Sequence, residues 1–173
     1  MFGTGGVGLS ALMAGVSAGV GTIVAVDPVG ERRQLAAELG ATAVLDPGSD
    51  DVADAIRQLT DGGATHALDT TARGPVINQA IEALAPLGTL ALVGVGVPEV
   101  TIDVQKLIGR GGTLRGVIEG DAVPQTFIPL LLELHAAGRL PIERMIRTYA
   151  FEEIAAAADD TAAGSAIKPV LLL

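Results

Sequence analysis

Gly3–Asp27, which reads GTGGVGLSALMAGVSAGVGTIVAVD, is the stretch around which the rest of the chain is organised. It opens with a Gly-x-Gly-x-x-Gly pattern over Gly3–Gly8. A segment of small apolar residues then predicts a helix from residue 7 to about residue 20, and the β-branched run Thr22–Val26 predicts a buried strand that ends at Asp27. A glycine-rich turn, a helix, a strand and a terminal acid, in this order, are typical of a unit that binds a dinucleotide.

Three glycines and one acid of this stretch have separate physical roles. Gly3 permits a tight turn, Gly5 lets a pyrophosphate approach the backbone, and Gly8 lets the helix pack closely. The free N–H groups of the first helical turn, with the positive end of the helix dipole, suit a phosphate. Asp27 lies 19 residues after Gly8, near the spacing of about 20 expected for an acid that binds the adenosine ribose. An ionised Asp27 would repel a 2′-phosphate, so the sequence favours NAD over NADP.

One alternative and one departure from the pattern concern the same stretch. A glycine-rich turn also occurs in other α/β proteins, where Asp27 would only cap the next helix. In addition, only Met1 and Phe2 precede Gly3, whereas a strand has about five or six residues. We therefore expect a truncated first strand.

Composition excludes several classes of protein. The formal net charge of −9 disfavours nucleic acid as a partner, because phosphate contacts need clustered Lys and Arg. The chain has no Cys, which excludes a disulfide framework, a thiol nucleophile and a thiolate zinc site within it. Residues 1–26 are uncharged, but this stretch is rich in Gly, ends in a β-branched strand and has no basic flank. We expect a soluble, cytoplasmic protein that does not enter a membrane.

A recurring Gly-Thr or Gly-Ala-Thr step indicates the fold. Each copy precedes a short apolar run, and the copies begin at Gly21, Gly40, Gly63, Gly88 and Gly112, at intervals of 19, 23, 25 and 24 residues. Glycine ends a helix and Thr begins a strand, so the intervals predict βα units and a parallel sheet. The predicted fold class is α/β, a Rossmann-type doubly wound parallel sheet with helices on both faces.

Ligands of such sheets bind beyond the carboxyl ends of the strands. Four positions lie there: Gly3–Gly8, Asp27, Asp69–Thr71 and Val93–Val95. They predict a track from adenosine towards nicotinamide, although helix capping is an equally good explanation for Asp69 and Thr70. Arg32 is predicted either to reach the ribose or adenine or to lie on a solvated helix face.

No catalytic machinery is evident in the sequence. His66 and His135 have no partner at metal-ligand spacing and are predicted to be structural. No Ser-His-Asp order, no His-Glu-x-x-His motif and no carboxylate pair at a strand end occurs. We therefore predict a cofactor cradle without catalytic residues and without a metal site.

Six stretches resemble the C-terminal half of the zinc-type alcohol dehydrogenases of the medium-chain dehydrogenase/reductase family. Together they cover nearly the whole chain, and the segment EGDAVPQTFIP is most similar to the aryl- or benzyl-alcohol branch. The stretches are GTGGVGLSALM, IVAVDPVGERRQLAAELGATAVLD, HALDTT, GTLALVGV, LRGVIEGDAVPQTFIPLLLELHAAGRLP and SAIKPVL.

The resemblance implies a set of NAD-binding residues. Its pyrophosphate turn corresponds to Gly3, Gly5, Gly6, Val7 and Gly8. It assigns Asp27 and Arg32 to the adenosine ribose, Thr70 and Thr71 to the adenosine-side loop, Val93, Gly94 and Val95 to the nicotinamide, and Lys168 to the pyrophosphate. It also implies a homodimer joined through the edge strand Thr113 to Ile118.

The family pattern further includes an N-terminal catalytic domain that carries zinc ligands and the proton relay, and these 173 residues do not match it. Zinc polarises the oxygen of the alcohol or carbonyl while hydride passes to or from nicotinamide. The chain alone is therefore expected to bind NAD(H) at best and to be inactive, with residues 1–119 as the NAD-binding domain. Residues 120–173 are expected to pack largely on the absent domain and to expose apolar surface without it.

Two other functions use similar features. A free-standing nucleotide-sensing domain that dimerises through its sheet edge would have the same turn. An adenosylmethionine-dependent methyltransferase also uses a glycine-rich turn and a strand-end acid. The family resemblance beyond Gly94 favours the dehydrogenase, because neither alternative accounts for it.

Overall fold

The computed structural model describes all residues from Met1 to Leu173. Helices and strands alternate through the first two thirds of the chain, as predicted. The helices are α1 (Gly6–Ser17), α2 (Gly30–Glu38), α3 (Val52–Leu59), α4 (Gly74–Ala83), α5 (Val104–Arg110), α6 (Pro124–Ala136) and α7 (Ile154–Ala163). The strands are β1 (Val24–Val26), β2 (Ala43–Leu45), β3 (Ala64–Asp69), β4 (Leu84–Leu92), β5 (Thr113–Gly116), β6 (Ile146–Ala150) and β7 (Lys168–Leu172). No helix is both long and apolar enough to cross a bilayer.

The main sheet is parallel throughout. β1 pairs with β2, and β4 lies between β3 and β5. The two groups of strands are joined only by Phe2, which bridges Val26 on one side and Asp69 on the other. The spatial order is therefore β2-β1-Phe2-β3-β4-β5, and the first strand is truncated to a single pair of bridges at the centre of the sheet.

Helices cover both faces of this sheet. On one face, the largest core cluster unites Phe2 with apolar residues of α3 and α4 such as Ile56 and Ile81. On the other face, Leu12 of α1 and Leu39, next to α2, belong to a second cluster. The doubly wound Rossmann-type architecture predicted from the Gly-Thr spacing is thus confirmed.

The C-terminal segment forms a separate parallel pair of strands, β6 and β7. Part of this segment packs on the Rossmann unit, because Leu140, Met145 and Ile167 belong to or contact the second cluster. In α6, Leu131 and Leu134 pack against this cluster, whereas Phe127 and Leu130 are exposed. The expected exposed apolar surface is present on α6. Other residues of the C-terminal segment, however, pack on the Rossmann unit of this same chain.

Three local predictions need correction. The helix expected to reach residue 20 ends at Ser17, because Gly19 adopts a positive φ of 78°. The strand expected over Thr113–Ile118 ends at Gly116, opposite Leu92, where its partner β4 also ends. Strand β6 was not predicted at all. Its sequence IRTYA alternates weakly, and Tyr149 is its one buried residue.

Candidate cofactor site

The turn over Gly3–Gly8 is closed by contacts that only glycine allows at two positions. Gly3 has a φ of 85°, and a side chain there would overlap the hydroxyl of Thr70. A Cβ on Gly8 would overlap the carbonyl oxygen of Gly3. The first turn of α1 therefore rests directly on the backbone that leads into it, as the sequence spacing predicted.

The start of α1 is open and uncharged. Gly5 is its N-cap residue and provides no side-chain hydrogen bond, and a Cβ on Gly5 would meet nothing within 4 Å. Because the N–H of Leu9 is bonded to the carbonyl of Gly5 at 2.9 Å, the N–H groups of residues 6–8 have no acceptor one turn back. The helix start thus offers free donors, a favourable dipole and space for a phosphate.

Asp27 is connected to the turn through Thr4. The buried carboxylate of Asp27 accepts a hydrogen bond from the N–H of Thr4 at 2.7 Å and one from the N–H of Val29 at 2.9 Å. It does not cap α2, whose N-cap residue is Val29 and which has no side-chain cap; it fixes the glycine-rich turn to the end of β1. Each carboxylate oxygen retains a second lone pair, so the same group can also accept hydrogen bonds from ribose hydroxyls.

The loop after β3 is held by Asp69. Its buried carboxylate accepts hydrogen bonds from the hydroxyl of Thr71 at 2.7 Å and from the N–H of Ala72 at 2.9 Å. The hydroxyl of Thr70 donates instead to the carbonyls of Phe2 and Gly3, at 3.1 and 3.3 Å. The capping explanation for Asp69 is wrong as stated, because α4 begins at Gly74 without a side-chain cap. Asp69 and Thr70 shape the loop and tie it to the turn.

The Val93–Val95 run lies against this loop. The N–H groups of Val93 and Gly94 both donate to the carbonyl of Asp69, at 2.9 and 3.1 Å. A Cβ on Gly94 would stand 2.6 Å from the carbonyl carbon of Thr70, so the two backbones are in close contact. Val95 is fully exposed. The structure thus brings the turn, Asp27, Thr70 and the start of this run to one edge of the sheet.

The two predicted cations are placed differently. The Nε of Arg32 donates to the carbonyl of Gly164 at 3.2 Å, so its guanidinium is held by the C-terminal segment. Lys168 is exposed at the start of β7. Its neighbour Ile167 lies 4.0 Å from the position of a Cβ on Gly6. This contact brings the C-terminal strand beside the glycine-rich turn, although more than 160 residues separate them.

Sequence reasoning missed Thr4. Its side chain is completely buried, and its hydroxyl is the one buried side-chain oxygen or nitrogen without a hydrogen-bond partner. The residue occupies a variable position of the Gly-x-Gly-x-x-Gly pattern, so the pattern gave no signal for it. Its backbone N–H, rather than its side chain, makes the bond that joins the turn to Asp27.

The histidines have structural partners. The Nδ1 of His135 lies 2.9 Å from the carbonyl of Leu140, and His66 lies beside the hydroxyl of Thr65 at 3.2 Å. No group of three His, Asp or Glu side chains is arranged to hold a metal ion. The edge described above presents free backbone N–H groups and a carboxylate, which suit a phosphate-bearing ligand and vicinal hydroxyls.

Comparison with known proteins decides the family. Residues 6–136 match the family model described as zinc-binding dehydrogenase. The chain belongs to the zinc-binding dehydrogenase family. The resemblance to zinc-type alcohol dehydrogenases that the sequence indicated is thereby confirmed, and the matched region begins within the glycine-rich turn, at Gly6.

Similar proteins include both sequences and solved structures. This zinc-binding dehydrogenase chain is 46% identical to the geraniol dehydrogenase of Castellaniella defragrans over 99% of the chain and 47% of that protein. An alcohol dehydrogenase zinc-binding domain protein from Burkholderia ambifaria superposes with a TM-score of 0.94 at 47% identity, over 99% of this chain and 47% of the other. The benzyl alcohol dehydrogenase of Acinetobacter calcoaceticus superposes with a TM-score of 0.94 at 40% identity, over 98% of this chain and 48% of the other. The chain spans about half the length of these relatives.

Proposed function

We propose that this chain is the NAD(H)-binding part of a zinc-dependent alcohol dehydrogenase that interconverts an alcohol and an aldehyde. The observation that supports it most directly is the bond from the N–H of Thr4 to the carboxylate of Asp27. This bond holds the start of α1 next to the acid that ends β1, and this neighbourhood supports binding of a pyrophosphate and its adenosine ribose.

The residues at this edge then have defined roles towards NAD. The free N–H groups at the start of α1 bind the pyrophosphate, with Lys168 as a further cation. Asp27 accepts hydrogen bonds from the ribose, Arg32 and the Thr70–Thr71 loop flank the adenosine, and the backbone of Val93–Val95 lies along the nicotinamide. When bound, nicotinamide supplies the hydride acceptor or donor, and zinc held outside this chain polarises the substrate oxygen.

Similarity to particular members of this family supports further proposals about the whole protein's substrate and assembly. We propose an aryl or benzyl alcohol as substrate class, supported by the similarity to a protein named benzyl alcohol dehydrogenase. We propose a cytoplasmic homodimer joined at Thr113–Ile118, because β5 is the outermost strand and pairs only with β4. We also propose the domain division at residues 119 and 120. The match over residues 6–136 favours the dehydrogenase over a nucleotide sensor or a methyltransferase.

The proposal is tested by separate calorimetric titrations of the chain with NAD, NADP and adenosylmethionine, which measure the affinity for each ligand. NAD is expected to bind most tightly. In the Asp27→Arg variant the preference should shift towards NADP, because an acid is removed and a cation is supplied. Its stability should fall by about 2 kcal/mol, because the N–H of Thr4 loses its buried acceptor. Binding of adenosylmethionine without binding of NAD or NADP would contradict the proposal.

Glu31→Arg is the matched control. Glu31 is exposed in the first turn of α2, lies four residues after Asp27 and makes the same change in charge when replaced. In this variant, the ratio of the affinities for NAD and NADP is expected to stay within about twofold of the parent value, because an exposed charge is screened by solvent and salt. An equal shift in both variants would show that net charge, and not the position of Asp27, decides the preference.

A further inference from the structure

Two acids follow two neighbouring strands at the carboxyl edge of the sheet. Asp27 comes directly after β1 and Asp46 directly after β2, and these strands are paired in parallel, with Val26 opposite Leu45. The N–H of Asp27 also donates to the carbonyl of Leu45 at 3.3 Å. The proposed cofactor site uses Asp27, whereas Asp46 has no role in it although it ends the adjacent strand.

Arg33 of α2 joins these two strand ends. Its Nη1 donates to the backbone carbonyl of Asp27 at 2.7 Å, and its Nη2 lies 2.8 Å from Oδ2 of Asp46. The side chains of Arg33 and Asp46 are only 20% and 33% exposed, so solvent screens this ion pair less than a pair on the open surface. A guanidinium is therefore held directly beside the residue proposed to select the cofactor.

The carboxylate of Asp46 is itself fixed by the turn that follows β2. Its Oδ1 accepts a hydrogen bond from the N–H of Gly48 at 2.9 Å, and the N–H of Asp46 donates to the carboxylate of Asp50 at 2.7 Å. With Oδ1 bound to the turn, Oδ2 is the oxygen that contacts Arg33. Asp46 thus positions the guanidinium and offsets the positive charge that it brings to this edge.

The position of Arg33 matters because NAD and NADP differ only in a phosphate on the 2′-hydroxyl of the adenosine ribose. A phosphate there favours a cation near the end of β1, and a guanidinium suits it well because it can bind two phosphate oxygens at once. Arg33 has this charge and contacts Asp27, but its two terminal nitrogens are bonded to Asp27 and Asp46. Its phosphate-binding groups are therefore already occupied.

We propose that Asp46 is a second determinant of the preference for NAD over NADP, and that it acts through Arg33. Asp27 repels a 2′-phosphate, while Asp46 binds the cation beside Asp27 and so withholds it from that phosphate. Asp46 is thus a positioning residue, since it contacts Arg33 rather than the ligand. This inference rests on the proposed binding of NAD(H) and adds a specificity-determining pair to the same site.

Asp46→Asn tests the proposal, with the affinities for NAD and NADP measured in separate calorimetric titrations. Asparagine keeps an oxygen that can accept from Gly48 but removes the charge that binds Arg33. The affinity for NADP relative to NAD is expected to rise by about tenfold, because the guanidinium becomes available to the 2′-phosphate. An unchanged ratio of the two affinities in Asp46→Asn would overturn the proposal.

Two further variants show whether the effect passes through Arg33. Asp50→Asn removes the same charge four residues away, from an exposed side chain bonded to the N–H of Asp46, and should change the ratio by less than about twofold. In the Arg33→Gln background, which has no guanidinium at this position, Asp46→Asn should raise the ratio by less than about threefold. Equal rises with and without Arg33, or in Asp46→Asn and Asp50→Asn, would contradict an action through Arg33.

A pair of smaller ligands distinguishes failure of this inference from failure of the proposed function. Adenosine 2′,5′-bisphosphate and adenosine 5′-monophosphate differ in the same 2′-phosphate but lack nicotinamide, and their affinity ratio should follow that of NADP and NAD in every variant. Binding of NAD by the parent chain with unchanged ratios in Asp46→Asn would overturn this inference alone. No binding of any of the four nucleotides by the parent chain would overturn the proposed function and this inference together.

Discussion

The two edges of the central sheet differ although the same strands form both. At the carboxyl edge, Phe2 and Gly3 are bonded to β1 and to the loop after β3, and Gly3 and Gly8 leave no room for another carbon. At the amino edge, β1 and β3 are separated by a cavity of about 630 Å³. Two residues in the central position therefore suffice to hold the glycine-rich turn, while the layer beneath them stays open.

The largest expected change in the free energy of unfolding comes from a change of pH, through the Met1 amino group at the amino edge of the sheet. Burial lowers the pKa of the Met1 amino group from 8.0 to about 5. Between these values the unfolded chain binds a proton that the folded chain does not, so the free energy of unfolding rises with pH. The 173-residue chain should lose up to about 4 kcal/mol as the pH falls from 8 to 5, measured by urea unfolding.

Acetylation of Met1 provides the control for this prediction. The acetylated nitrogen keeps an N–H that can donate to Val24 but cannot be protonated. The difference in stability between the two proteins should therefore grow as the pH falls and vanish above pH 8. A difference that is constant from pH 5 to pH 8 would mean that the amino group is solvated in the folded chain.

Gly8→Ala should produce the next largest effect, at the carboxyl edge. The added carbon overlaps the carbonyl of Gly3, and backbone on both sides must move. We expect a loss of about 3 kcal/mol in the free energy of unfolding, together with loss of NAD binding in calorimetry, because the turn and the start of α1 no longer fit together.

Gly5→Ala is the matched control for Gly8→Ala. A Cβ at Gly5 meets no atom within 4 Å, and its φ of −71° suits any residue. Its stability should change by less than about 0.5 kcal/mol, while NAD affinity should fall if pyrophosphate approaches this backbone. Equal destabilisation of the two variants would contradict the difference in packing between the two glycines.

Ala11→Leu should have the smallest effect and the opposite sign. Ala11 lines the cavity at the amino edge, so added methyl groups enter empty space. We expect a gain of about 1 kcal/mol in the free energy of unfolding, measured by urea unfolding. Ala14→Leu, at an exposed position of the same helix, should change stability by less than about 0.5 kcal/mol. A loss of stability in Ala11→Leu would show that the cavity is closed in solution.

Local spacing was enough to predict much of the fold and of the site. The pattern over Gly3–Gly8 and the distance to Asp27 lie within one βα unit, and the structure has the predicted turn, helix and strand-end acid in that order, whereas their roles towards a cofactor stay predictions. The Gly-Thr intervals predicted the parallel sheet because each one encloses a single helix. In these regions, sequence neighbours are also spatial neighbours, so periodicity and turn chemistry carry the information.

Contacts between distant residues could not be predicted in this way. The hydroxyl of Thr70 bonds to Phe2, 68 residues away, and Arg32 bonds to Gly164, 132 residues away. Strand β6 was missed because it exists through its pairing with β7 and buries only Tyr149. Such features depend on how the chain packs, which local residue patterns do not encode.

The hydrogen bond from Arg32 to the carbonyl of Gly164 has a thermodynamic consequence. A ligand that binds the guanidinium of Arg32 must compete for it with Gly164 in the C-terminal segment, the tail of the chain. Ligand binding and docking of this tail are therefore coupled. Linkage is reciprocal: whatever loosens the tail must alter affinity by the same factor by which the ligand loosens the tail. Through Arg32, binding of a ligand near the start of α2 and docking of the C-terminal segment become two parts of one coupled equilibrium.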